Sequence, residues 1–200
     1  MNSGNIIILN GTSSSGKSSI LRALQELMEE PYLDAGIDKF LWMLPKRYIN
    51  EPTYWQQVYE YEWPQPEQMV MRAAPLGQRL MAGMHQAIAA LAQAGNHVVA
   101  DHVLAEPEWV QQCAALFAAL PAWLVHITCP LAVLEERERA RQDRTLGQAR
   151  AQFHLVHAHA ICDLEIDTAQ HDVMTCAEMI KLHVLTGPRP TAFAQLAKEG

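Results

Sequence analysis

The sequence predicts an α/β fold, a five-stranded parallel sheet with helices on both faces. Three observations predict it. Short β-branched runs alternate with longer segments whose apolar residues recur at helical spacing. The first of these runs leads straight into Gly11-Thr12-Ser13-Ser14-Ser15-Gly16-Lys17-Ser18, a G-x-x-x-x-G-K-[ST] pattern set between a strand and a helix. Half of the 200 residues are apolar, enough to fill one sizeable core. Connections between parallel strands are right-handed almost without exception, and two helical layers follow.

The elements follow in order. Asn5-Ile6-Ile7-Ile8-Leu9-Asn10 reads as a buried parallel strand. Residues 19–30 follow as a helix, with Ile20, Leu21, Leu24, Leu27 and Met28 on one face. After Pro31, Tyr32-Leu33-Asp34-Ala35-Gly36-Ile37 gives a short second strand ending at Asp38, and a brief helix over 39–44 stops at Pro45. Residues 45–66 read as irregular: Pro52, Pro64 and Pro66 interrupt them, and Tyr48, Tyr54, Trp55, Tyr59, Tyr61 and Trp63 crowd them. Residues 67–94 read as one long helix, broken near Pro75 and closed by Gly95-Asn96. His97-Val98-Val99-Ala100-Asp101 is the third strand, and a helix over 108–120 closes at Pro121. Residues 123–129 form the fourth strand, 131–144 a highly charged helix and 148–161 another. Asp163-Leu164-Glu165-Ile166-Asp167 is the fifth strand, and 173–185 the last clear helix. Residues 187–200, with Pro188 and Pro190, read as a loosely held tail, so the chain is expected to be a single domain over 1–200.

Composition excludes several classes. A formal net charge of -7 argues against a nucleic-acid partner that needs a basic surface. Cys113, Cys129, Cys162 and Cys176 are widely spaced with no C-x-x-C, as expected of small core residues in a reducing compartment. The N-terminal apolar run has no basic leader or cleavage pattern, and no stretch approaches the ~20 apolar residues of a membrane span. The expectation is a soluble cytoplasmic protein with no membrane partner. Nothing in the sequence sets its oligomeric state.

The glycine-rich loop carries the clearest chemistry. Its backbone N–H groups form a nest for a polyphosphate, and the helix that follows adds the partial positive charge of its N-terminus. Gly11 and Gly16 permit the backbone angles and close approach that a Cβ would block. Lys17 can reach the β- and γ-phosphates, and the Ser18 hydroxyl can complete the shell of Mg²⁺. The nucleotide set is therefore Gly11, Thr12, Ser13, Ser14, Ser15, Gly16, Lys17, Ser18 and Ser19. The bland alternative is a Ser/Gly-rich loop that merely caps a helix.

In open parallel sheets ligands sit beyond the carboxyl ends of the strands. Asp38 and Asp101 are placed there, at the ends of the second and third strands. Asp38 can accept a proton from an attacking hydroxyl, and Asp101 can hold Mg²⁺; each could instead cap the helix that follows. Arg137, Arg141 and Arg144 fall at i, i+4 and i+7, one helical face on which like charges repel unless an anion sits between them. Such arginines neutralise a migrating phosphoryl group; a solvated face interleaved with Glu135, Glu136 and Glu138 is the alternative. His154, His157 and His159 lack a third ligand and open geometry for a metal and are expected on a helix surface or partly buried.

With these residues in place the chain resembles the chloramphenicol phosphotransferase-like proteins, small P-loop kinases related in fold to shikimate and adenylate kinases. The resemblance runs from Ile6 to about Ile180. It rests on Ile7-Ile8-Leu9-Asn10-Gly11 with Ser13-Ser14 and Gly16-Lys17-Ser18, on Gly36-Ile37-Asp38, on Val99-Ala100-Asp101-His102-Val103, and on Arg137-Glu138, Arg141 and Asp143-Arg144. Val156-His157 and Asp163-Leu164-Glu165-Ile166-Asp167-Thr168 extend it. His102 stands where that family usually has an acidic residue. The resemblance implies a P-loop NTPase fold with lid insertions and ATP-dependent phosphorylation of a small-molecule hydroxyl. In it Asp38 is the base, Lys17 the γ-phosphate clamp, Ser18 and Asp101 the Mg²⁺ site, and Arg137, Arg141 and Arg144 an arginine lid over 137–147. Asp167 and Thr168 frame the adenine, and 45–66 is an acceptor-side lid. Residues 45–75 depart from the antibiotic kinase and carry more aromatics, so reaction type transfers better than substrate, chloramphenicol included. A nucleotide-binding regulator without phosphotransfer and a nucleoside or nucleotide kinase are the rival readings.

Overall fold

The computed structural model describes residues 3–65, 68–141 and 146–199. Five parallel strands form the sheet in the order β2-β5-β1-β6-β7: Tyr32–Asp34 (β2), His97–His102 (β5), Ile6–Asn10 (β1), Ala122–Thr128 (β6) and Leu164–Asp167 (β7). β1 is central and wholly buried, because Ile6, Ile7, Ile8 and Leu9 are covered on both faces. Ile7 and Leu9 pack with Ile20, Leu21 and Leu24 of α1 (Lys17–Leu27) and with Cys176, Ala177 and Ile180 of α9 (Val173–Thr186). Ile6 and Ile8 face the other way, onto α5 (Pro75–Gln93) and α6 (Pro107–Phe117). The period-two alternation of a single strand thus feeds two cores.

Several elements differ from the sequence expectation. The second strand stops at Asp34, and Asp38 lies in the first turn of α2 (Ile37–Leu41) instead of at a strand end. The described part of the segment expected to be irregular, residues 45–65, is regular: α3 (Lys46–Asn50) and α4 (Pro52–Trp55) lead into β3 (Tyr59–Gln65), which pairs antiparallel with β4 (Gln68–Ala73). The long helix therefore begins at Pro75, where proline's missing N–H costs nothing, and not at 67. Pro64 is accommodated at an irregularity in register between Glu62 and Gln65.

The charged helix α7 (Leu131–Ala140) ends four residues early, and α8 spans only Gln148–Phe153. The expected loose tail is instead α10 (Ala192–Glu199). Phe193 of α10 is 2% exposed and stacks edge-to-face on Phe117 at 5.2 Å. All four cysteines are free thiols. Among the described residues, no helix is long and apolar enough to cross a membrane.

Candidate active site

β1 delivers Gly11 to the carboxyl edge of the sheet, and the chain turns there into α1. The turn needs two left-handed residues: Gly16 at φ 93°, where glycine is at home, and Ser14 at φ 63°. Lys17 folds back over the loop, its Nζ donating to the carbonyls of Gly11 at 2.7 Å and Thr12 at 2.6 Å. Ser14 and Ser15 hydroxyls are buried without a hydrogen-bond partner, a cost of about 1–3 kcal/mol each that an oxygen-rich anion in the loop would offset. The phosphate loop therefore fits a polyphosphate on its own polar groups as well as on its pattern. Ser19 is exposed on the first turn of α1.

Asp101, 8% exposed near the end of β5, accepts a hydrogen bond from Ser18 Oγ. A hydroxyl and a carboxylate in contact are hard oxygen donors of the kind Mg²⁺ takes, so these two residues fit that ion. Gly36 closes over them: a Cβ there would overlap Asp101 Oδ1. Two residues on, half-buried Asp38 lines a cleft of about 210 Å³ with Ser18, Asp34, Gly36, Trp42 and Asp101. The charge of Asp38 is felt by Tyr59 of the β3–β4 hairpin. Burial first, then Tyr61, Asp38 and Glu106, push the Tyr59 phenol upward. Loop, both aspartates and the base of the hairpin thus converge on one rim.

On the opposite flank Arg137 donates to Thr168 Oγ1 at 3.0 Å and to Thr168 O at 2.9 Å, and Thr168 Oγ1 donates to Ser15 O at 3.0 Å. Asp167 accepts from the Ala169 N–H at 2.8 Å and from Gln170 Nε2 at 2.9 Å. It also lines a second cleft, of about 260 Å³, with Thr12, Cys129, Phe153 and His157. Arg137 and Arg141 do not share a helical face. Arg141 has left the helix, with extended backbone at φ -91° and ψ 124°, and Arg144 lies outside the described residues. Glu138 is no solvated partner either. It is 2% exposed and accepts from the N–H groups of Gly147 at 2.7 Å and Ala149 at 2.9 Å, holding the start of α8.

Three residues hold the loop from behind: Gln152, which the sequence reading passed over, and Asn10 and His157, to which it gave no such role. Gln152 Oε1 accepts from the Ser13 N–H at 2.7 Å. Asn10 accepts from the Leu104 N–H at 2.8 Å and donates to Val156 O at 2.7 Å. His157 Nε2 lies 3.2 Å from the Asn10 carbonyl. A polar Asn ending an otherwise apolar strand was the one available signal; Gln152 gave none.

Five of the histidines meet one another, His85 with His102 and His126 with His157 and His159. The Val103 N–H donates to His102 Nδ1 at 2.8 Å, which fixes His102 Nε2–H as donor to His85 Nε2 at 2.8 Å, and His85 Nδ1–H as donor to Gln112 at 3.0 Å. Burial holds both rings well toward the neutral form. His126 stacks on His157 at 4.3 Å and meets His159 edge-on at 5.0 Å. Burial, with His157 and His159 adding, pushes His126 down to about 3. Among the described residues no group of three or more His, Cys, Asp or Glu could hold a metal ion.

Comparison with known proteins accords with this geometry. Residues 4–185 match the family described as chloramphenicol phosphotransferase-like protein. A Mycobacterium tuberculosis protein named "Putative O-phosphotransferase" is 31% identical over 202 residues, covering 99% of this chain and 90% of that protein. A sugar kinase from Janibacter sp. superposes with a TM-score of 0.65 at 13% identity, covering 91% of this chain and 94% of that one. A gluconokinase from Sinorhizobium meliloti does so with a TM-score of 0.58 at 19% identity, covering 100% and 97%. These structures share the fold.

Proposed function

The chain belongs to the chloramphenicol phosphotransferase-like family, and from that premise we propose that it transfers the γ-phosphate of ATP to a hydroxyl of a small molecule. The observation that carries this reading is the convergence of Lys17, the Ser18–Asp101 contact and Asp38 on one rim of the sheet. The loop amides from Gly11 to Ser19 and the Lys17 ammonium bind the phosphate tail and orient it. Ser18 and Asp101 would hold Mg²⁺, whose charge neutralises the phosphate oxygens. Asp38 takes the proton of the acceptor hydroxyl as its oxygen bonds to the γ-phosphorus and the bond to the departing ADP breaks. Arg137, with Arg141 and Arg144, closes on the migrating charge, and Thr168 and Asp167 frame the adenine beside Arg137.

The acceptor is a hydroxylated compound met by the wall that α3, α4 and the β3–β4 hairpin build, where Trp55 Nε1 donates to the Tyr61 hydroxyl at 3.0 Å. Chloramphenicol is the first compound to test. Four free thiols and the need for ATP support a cytoplasmic location. The test is a panel of hydroxylated compounds with ATP, read as a mass gain of one phosphoryl group. A positive compound is then given to Asp38→Asn. That variant should lose turnover by on the order of 10²–10⁴-fold while keeping its affinity for nucleotide. A mass gain that persists undiminished in Asp38→Asn would remove the base, and ATP binding without any phosphorylated product would favour a nucleotide-gated regulator.

A further inference from the structure

The protein itself holds two groups of the phosphate loop. Lys17 Nζ donates to the carbonyls of Gly11 and Thr12. The Ser13 N–H, next along the same limb, donates to Gln152 Oε1 at 2.7 Å. In loops of this pattern the lysine reaches the β- and γ-phosphates, so the limb that carries Lys17 Nζ is the γ end. An N–H in that nest is built to meet an anionic oxygen, and here it meets a neutral amide oxygen from a side chain that is 5% exposed.

Gln152 is also wired to the arginine segment. It sits in α8, whose first N–H groups are held by buried Glu138 of α7. Glu138 directly follows Arg137, and Arg137 bonds Thr168, which bonds Ser15 on the far limb of the same loop. A closed ring of contacts therefore runs from Ser13 through Gln152, Glu138, Arg137 and Thr168 back to Ser15. A triphosphate that claims the Ser13 N–H must open this ring at Gln152.

Resting on the kinase reading above, we propose that Gln152 is a positioning residue that occupies the Ser13 amide at the γ end of the loop and yields it to a triphosphate. It thereby makes the seating of α8 and the arginine segment depend on whether the γ-phosphate is present. A diphosphate does not reach that limb and leaves the contact in place.

Equilibrium binding of ADP and of a non-hydrolysable ATP analogue to wild type, Gln152→Ala and Gln152→Glu tests this, with thermal melting as the folding control. Gln152→Ala removes the competing acceptor, so affinity for the analogue should rise about two- to tenfold while ADP is unchanged. Gln152→Glu keeps the shape and the acceptor oxygen but sets a carboxylate against the γ-phosphate. Analogue affinity should then fall by on the order of tenfold or more, with ADP much less affected. Opposite shifts in the analogue-to-ADP ratio are a signature that simple loss of packing does not produce. Equal factors for both nucleotides, or an unmoved ratio in Gln152→Glu, overturn the role of Gln152 and leave the kinase reading standing. A wild type that binds neither nucleotide overturns both.

Discussion

Replacing Gly36 with alanine separates the stability of the rim from its function. The backbone accepts alanine without strain, since Gly36 has φ -65° and ψ 159°. The whole effect is therefore steric: the new Cβ overlaps Asp101 Oδ1 and comes within 3.2 Å of Asp34 Oδ1. A carboxylate can swing aside, and an off-rotamer side chain costs roughly 0.5–1.5 kcal/mol. Swinging aside also breaks the hydrogen bond from Ser18, a further loss of about 1 kcal/mol. Together these come to about 2 kcal/mol, or a drop in Tm of about 4–8 °C for a chain of this length. The functional loss should be larger in proportion, because the displaced carboxylate is half of the oxygen pair assigned to Mg²⁺. The assay is titration of a non-hydrolysable ATP analogue with Mg²⁺ and again with a chelator. Wild type should show a strong preference for the metal-loaded nucleotide, and Gly36→Ala should lose most of it. A variant that melts early yet keeps the wild-type metal preference would show that Asp101 does not serve the ion. A variant that melts like wild type would refute the packing itself.

Lys17→Ala, with thermal melting as the folding control, should lose phosphoryl transfer by on the order of 10²–10³-fold; turnover within a factor of a few would remove Lys17 from the reaction. Phe193→Ala should cost about 3–5 kcal/mol and lower Tm by at least about 6 °C, because the ring is 2% exposed against Phe117; an unchanged melting curve would mean the C-terminal helix does not dock. His126 stays neutral in the fold down to about 3, whereas the unfolded chain binds a proton near 6.5. The stability it confers is complete above that ordinary value and is lost as pH falls toward 3, at up to about 1.4 kcal/mol per pH unit. His126→Phe should therefore show a shallower acid limb in denaturant unfolding between pH 7 and pH 4, and an unaltered limb would exclude this histidine as a source of it.

What could be read from the residues was what is encoded locally. The β-branched runs at β1, β5 and β6 are buried strands because their patterns need no partner to be recognised. The loop between β1 and α1 was legible for the same reason. The hairpin was not, although Tyr59-Glu60-Tyr61-Glu62-Trp63 alternates ring and acid along β3. Its prolines suggested a broken segment, while the structure absorbs Pro64 at the register irregularity. Asp38 was placed on the correct rim from the wrong element, since β2 is too short to reach it. Glu138 and Gln152 lay beyond local reading altogether. A glutamate among arginines on a charged helix looks solvated, and only the fold shows that it is buried under α8.

The β3–β4 hairpin and the start of α8 also touch each other. Gly147, at the start of α8, sits against Met69 of β4, close enough that a Cβ there would lie 3.7 Å from the Met69 side chain. The far end of the same helix holds Ser13 through Gln152. One six-residue helix therefore lies between the β3–β4 hairpin and the glycine-rich loop. Changes in the aromatic composition of residues 45–73 would then alter more than pocket shape, because they shift the β4 surface on which α8 rests. On the kinase reading proposed above, acceptor choice and phosphate binding would be linked through this helix. A substitution at Met69 should accordingly change the affinity for a triphosphate analogue even though Met69 lies on the hairpin and not on the loop, and an affinity indifferent to Met69→Ala would show the two to be independent.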